Sequence, residues 1–108
     1  VIGESWDACV DKSGPTMATH RWYFRYGAYV MDEHIKGVKD PDELSFDLAK
    51  EDRLIAGTPE QCLEQLLMWK KEIEPDYIML RMRQPGGPPQ PEALADIRMF
   101  GEKVIPNL

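Results

Sequence analysis

A pattern that occurs twice in the second half of the chain constrains the fold most: a short apolar run, a turn, and an amphipathic helix. Residues 54–56 form the first apolar run, which ends at Gly57. A helix start follows at once, because Thr58 can cap, Pro59 suits the first helical position and Gln61 completes a capping box. Apolar side chains then recur at helical spacing until the helix ends before Pro75.

The second unit has the same order. Residues 76–83 alternate as a strand does, since Ile78, Leu80 and Met82 share one face. The other face carries Tyr77, Met79, Arg81 and Arg83. Residues 84–89 are rich in Gly and Pro and predict a loop, and a last helix begins near residues 91–92. Its predicted apolar face consists of Leu94, Ile97, Phe100, Val104 and Ile105.

The first half reads as helical. Ser5 can cap a short helix that the pair at residues 14–15 interrupts. Residues 16–36 are rich in aromatic side chains, and Trp22 and Tyr26 fall at helical spacing. We expect these aromatics to serve in core or interface packing, with stacking on a cofactor as the alternative.

Residues 37–52 are mostly polar and predict a connection that contains one short helix. The sequence at residues 40–43, DPDE, is a turn or helix-start signal.

Charge and composition exclude several classes of protein. The net charge of −6 disfavours a nucleic-acid partner, which needs a basic surface. No apolar run approaches the roughly 20 residues of a membrane span, and the first residues do not resemble a signal peptide. We therefore expect a cytoplasmic protein, and the first residues look like an internal cut in a longer chain.

The two cysteines and two histidines are residue types that can bind a metal. Cys9 and Cys62 with His20 and His34 match no zinc spacing, so no metal site is predicted. A disulfide between the two cysteines stays open, but buried thiols are the favoured interpretation.

The order of these elements resembles the C-terminal end of the luciferase-like flavin-dependent monooxygenases. Residues 55–66 read IAGTPEQCLEQL, which is similar to the element of that family in which an apolar strand ends in Gly-Ser/Thr-Pro-Glu and opens a helix. Residues 76–81, DYIMLR, and the loop at 85–88, PGGP, are similar to the strand and loop that follow. Residues 97–106 resemble the closing helix.

The resemblance implies an α/β fold: the helix-rich C-terminal part of a (β/α)8 TIM barrel, with two parallel strands and their following helices. A complete barrel needs about 250 residues, so residues 1–108 would be a single partial domain. Residues 53–108 would be the last two strand–helix units, and residues 1–52 a helical excursion before the seventh strand.

The resemblance also implies a function. A reduced flavin, FMN or alternatively a deazaflavin, would react with oxygen and then with a small organic substrate. Earlier strands would supply most of the pocket, so no catalytic residues can be assigned. This chain alone is expected to be inactive and not to bind the flavin tightly. Its open strand edges predict a homo-oligomer. The alternatives are a non-catalytic flavin-binding relative and a self-associating interaction module.

Four residues are candidates for cofactor binding. Backbone N–H groups at Gly57 and Thr58 begin a helix and could bind an anion, although a plain helix cap is the favoured interpretation. Arg81 and Arg83 lie near the end of the second predicted strand, where guanidinium groups could steady a flavin or an anionic substrate. Arg83 has a simpler alternative as a solvated loop residue.

Overall fold

The protein is described by a computed structural model that covers residues 1–27 and 38–108. Within these residues the regular structure is helical, and it includes two short 3-10 helices at Pro41–Glu43 and Ile105–Asn107. The α-helices are α1 (Trp6–Lys12), α2 (Gly14–Tyr26), α3 (Phe46–Asp52), α4 (Pro59–Ile73) and α5 (Gln90–Lys103).

The helices α1, α3 and α4 each begin where a side chain accepts a hydrogen bond from a free N–H group. The Ser5 hydroxyl accepts from Ala8 N at 3.2 Å, which confirms the predicted cap of α1. Thr58 and Gln61 form the predicted capping box of α4. Each such cap contributes about 0.5–2 kcal/mol. The helix α4 ends at Ile73, before Pro75, as predicted.

The core consists of two apolar clusters. The first joins α1, α2 and α3 and contains Cys9, Met17, Val38, Leu44, Phe46, Ala49 and Ala56. The second lies between α4 and α5 and contains Ile2, Cys62, Leu66, Phe100 and Val104. Because Ile2 and Ala56 belong to neighbouring backbone segments but to different clusters, these segments run along the boundary between the two.

A partly buried ion pair ties the first helix to the last. Lys12 Nζ lies 2.6 Å from Asp96 Oδ1, and the Asp96 side chain is 9% exposed. The two residues are far apart in sequence, so the pair holds α5 against α1 only when the chain is folded.

The predicted fold class is wrong for the part of the chain that the structure describes. Residues 1–27 and 38–108 contain no β-strand, so the two parallel strands at residues 54–56 and 77–82 do not form. A barrel part is therefore not shown. The parallel bridge that the described residues do form joins Gly57 to Ile2, not to residues 77–82.

The backbone of residues 55–57 is occupied on both sides, which explains why it does not pair with residues 77–82. On one side it bonds the first residues, through Gly57 N to Val1 O at 3.1 Å and Gly3 N to Gly57 O at 3.2 Å. On the other side the Gln65 amide bonds Ala56, accepting from its N–H at 3.1 Å and donating to its carbonyl at 2.8 Å. A side chain of α4 thus takes the place of the neighbouring strand.

The second predicted strand is an extended segment without a ladder. Residues 77–82 make no backbone hydrogen bond to the other described residues. The segment is held by side chains instead, because Leu80 and Met82 pack against the second cluster. Tyr77 and Met79, on the opposite face, are 80% and 83% exposed.

The predicted apolar face of the last helix is only partly correct. Phe100 and Val104 are buried, but Leu94 and Ile97 are about half exposed. The buried face instead includes Ala93 and Asp96, because the contact with Lys12 turns that side of α5 inward.

The predicted aromatic helix is described as far as Tyr26, and Tyr29 and His34 lie outside the described residues. No helix among the described residues is long and apolar enough to cross a membrane.

Candidate ligand-binding cleft

A cleft of about 520 Å³ lies on the second cluster, between the first residues, α2, α4 and the extended segment 77–82. Ile2, Cys62, Leu66 and Phe100 are both buried core residues and cleft-lining residues, so they form its floor. The walls are mostly apolar, with Leu54, Ile55, Trp69, Ile73, Ile78, Met79, Leu80 and Met82. This volume lies in the range of roughly 300–1,000 Å³ that is usual for small-molecule sites.

The charged groups of the cleft are of one sign. Arg53 and Arg81 line it, together with the ionisable His20, and none of the described lining residues is Asp or Glu. The chain as a whole is acidic, with 19 Asp and Glu against 13 Lys and Arg. The cleft therefore differs from the rest of the protein in the sign of its charge.

The two candidate arginines have different surroundings. Arg81 lines the cleft and forms no ion pair with the acids of residues 1–27 and 38–108. Arg83 is exposed and donates from Nε to the carbonyl of Pro88 at 2.8 Å. This contact matches the simpler interpretation of Arg83 as a residue of the loop. Of the four sequence candidates, Arg81 alone lines the cleft.

Gly57 and Thr58 lie outside the cleft lining, and their N–H groups already have partners. Gly57 N donates to Val1 O, and Thr58 N donates to Gln61 Oε1 at 3.0 Å. The Glu60 carboxylate accepts from its own backbone N–H and from the Thr58 hydroxyl, which lowers its pKa. An acid of the chain itself thus occupies the helix N-terminus, so this geometry is that of a cap.

The local backbone geometry explains why residue 57 is a glycine. Its φ is +134°, and a Cβ at this position would meet the Gln61 side chain. Glycine here lets Gln61 reach back to Thr58 N and complete the capping box.

Sequence reasoning did not assign His20 and Trp69 to a site. His20 lies one helical turn after Thr16, and its Nδ1 is 2.9 Å from the Thr16 carbonyl. That contact leaves Nε2 as the ring nitrogen available to a ligand. Helical periodicity places both residues on helices, but only the tertiary arrangement of α2 and α4 brings them to one cleft.

The two cysteines meet at one backbone carbonyl. Cys9 Sγ and Cys62 Sγ lie 3.4 Å and 3.6 Å from Gly57 O, and both thiols are free and buried. Burial raises the pKa of both, that of Cys62 to about 11. Since the thiolate is the nucleophile, these groups are poor candidates for covalent chemistry at neutral pH.

Polar atoms elsewhere in the cleft are few. Gln84 Oε1 is buried and has no donor among the described residues. Within the same residues, no group of three or more His, Cys, Asp or Glu side chains could hold a metal ion.

The chain matches no protein-family model, no curated protein and no solved structure with which it was compared. Its function therefore has to be argued from the residues and from the cleft.

Proposed function

We propose that the chain is the C-terminal portion of a luciferase-like flavin-dependent oxidoreductase. It would use reduced FMN, or alternatively a deazaflavin, and oxygen to act on a small organic substrate. The cleft is the observation that supports the proposal most directly. Residues 54–55 and 78–82, which belong to the two apolar segments of the family resemblance, line one cavity, and Arg81 is one of these lining residues.

The chain would contribute walls and a charge to the complete site. Its apolar side chains would exclude water from the reacting groups, and Arg81 would bind an anionic part of the flavin or the substrate. The flavin itself supplies the electrons for the reaction with oxygen. Gly57 and Thr58 are not suited to hold the flavin phosphate, because their N–H groups are already bonded within the chain.

The test is oxygen consumption by the complete protein that the gene encodes. We expect reductant-dependent uptake of oxygen with FMN or with a deazaflavin, and no uptake with residues 1–108 alone. Flavin binding without oxygen uptake would favour the non-catalytic relative instead. If the complete protein binds no flavin, the proposal is wrong.

The second candidate function is an interaction module that associates with itself. Trp22 and Tyr26 on α2 are 58% and 69% exposed, and their rings lie 5.6 Å apart. A twofold dimer would bury such a surface most simply. Light scattering at several protein concentrations measures the assembly. Trp22→Glu should abolish it, whereas Leu94→Glu, at a similarly exposed position on α5, should not.

The free thiols support a cytoplasmic location, because disulfides are rare in that compartment. Expression of the complete protein with a fluorescent tag is a direct test of this assignment.

A further inference from the structure

We propose that the cleft binds an aliphatic carboxylate, with the ligand's hydrocarbon chain along the apolar floor and its carboxylate at the Arg81 guanidinium. The inference concerns binding by this chain and does not depend on flavin chemistry. It follows from the shape, the apolar lining and the charge of the cleft taken together.

The floor and walls suit a hydrocarbon. Buried core residues form the floor, and exposed apolar side chains such as Ile73 and Met79 stand at its edges. A ligand that covers these side chains gains roughly 25 cal/mol for each Å² of apolar surface removed from water. An apolar chain is therefore the part of a ligand that this cleft would stabilise most.

The charge of the cleft selects the head group. Arg81 has no acidic partner in the described chain, and the described lining contains no carboxylate that would repel an anion. A guanidinium pairs with a carboxylate through two parallel hydrogen bonds.

A single-headed anion fits better than a nucleotide or a phosphorylated group. Phosphates are usually bound by several backbone N–H groups or by a helix N-terminus. The N–H groups that begin α4, the sequence candidates for anion binding, are bonded by side chains of that helix beside the Glu60 carboxylate and do not line the cleft. The cleft offers apolar walls and the two arginines Arg53 and Arg81, a lining that suits a carboxylate with an aliphatic tail.

The experiment compares three ligands that have hydrocarbon chains of equal length and different head groups. Decanoate, decanol and decylamine are titrated separately into residues 1–108 at low ionic strength, without flavin, and binding is followed by calorimetry. We expect decanoate to bind about tenfold or more tighter than decylamine, a difference of roughly 1.4 kcal/mol. Equal binding of the two, or no binding of decanoate, would overturn the proposal.

Two arginine variants assign the head-group contact. Arg81→Met should weaken the binding of decanoate about threefold to tenfold, which is the range for one partly solvated charge-assisted contact. The binding of decanol should be unchanged. Arg83→Met removes the same charge two residues away, outside the cleft lining, and should have no such effect. Equal loss in both variants would mean that general electrostatic attraction, and not the cleft, binds the anion.

A second pair of variants tests whether the ligand lies in the cleft. Ile73→Glu introduces an acid at an exposed position on the cleft wall and should weaken decanoate more than decanol. Ile97→Glu makes the same change at a similarly exposed position on α5 that does not line the cleft. Circular dichroism checks that each variant is folded. Unchanged decanoate binding in a folded Ile73→Glu variant would contradict the proposed site.

Discussion

Replacement of Gln65 by leucine tests the contact that takes the place of a strand. The amide of Gln65 bonds both the N–H and the carbonyl of Ala56, a residue that is fully buried. Leucine keeps a similar volume and helix propensity but leaves these two backbone groups without partners. An unsatisfied buried polar group costs about 1–3 kcal/mol. We expect a loss of roughly 2–4 kcal/mol in the free energy of unfolding, since water can reach part of the site.

Urea unfolding followed by circular dichroism measures this loss, by linear extrapolation of the unfolding free energy. Gln90→Leu is the matched control, because Gln90 is exposed and lies at the start of α5. A loss of less than about 0.5 kcal/mol in Gln65→Leu, within the usual effect of a surface substitution, would refute the role of Gln65. It would mean that the backbone of Ala56 is satisfied without the side chain.

Three further predictions concern the core and the ion pair. Leu66→Ala should lower the free energy of unfolding by about 2–5 kcal/mol in urea, because it empties a fully buried position; a much smaller loss would contradict the described second cluster. Asp96→Ala should cost about 1.5–3 kcal/mol by the same measurement, since it leaves Lys12 partly buried without its partner; Glu4→Ala, which removes an exposed partner of Lys103, should cost less than about 1 kcal/mol. The buried Cys62 thiol has its pKa raised from 9.0 to about 11, so its contribution to stability is complete below pH 9.0 and is lost as the pH rises towards 11. Unfolding free energies measured across this interval should fall less steeply in Cys62→Ala than in the unchanged protein, and equal slopes would contradict this.

Local features were predictable from the sequence where the relevant interactions are between near neighbours. The caps at Ser5 and Thr58 and the end of α4 before Pro75 depend on residues within one helical turn. The alternation of residues 77–83 was also readable, because it records which side chains can be buried together. These signals are carried by the residue types themselves.

The pairing of extended segments was not predictable, because it depends on competition between distant groups. Residues 54–56 have the composition of a strand, but nothing local indicates that Gln65 will bond Ala56 or that the first residues will bond Gly57. Each of these contacts removes a site at which residues 77–82 could have paired. The fold that the resemblance implies needs backbone hydrogen bonds between residues 54–56 and residues 77–82. The described chain bonds residues 55–57 to Gln65 and to the first residues instead.

Some features of the candidate site were also predictable from the sequence, and others were not. The sequence by itself determined that Arg81 and Arg83 share one side of an extended segment and that Gly57 and Thr58 begin a helix. Only the tertiary structure decided that Arg81 lines a cleft with His20 and Trp69, and that the N–H groups at the start of α4 are occupied. The physical reason is that periodicity sets the direction of a side chain relative to its own element, whereas a site depends on which elements pack together.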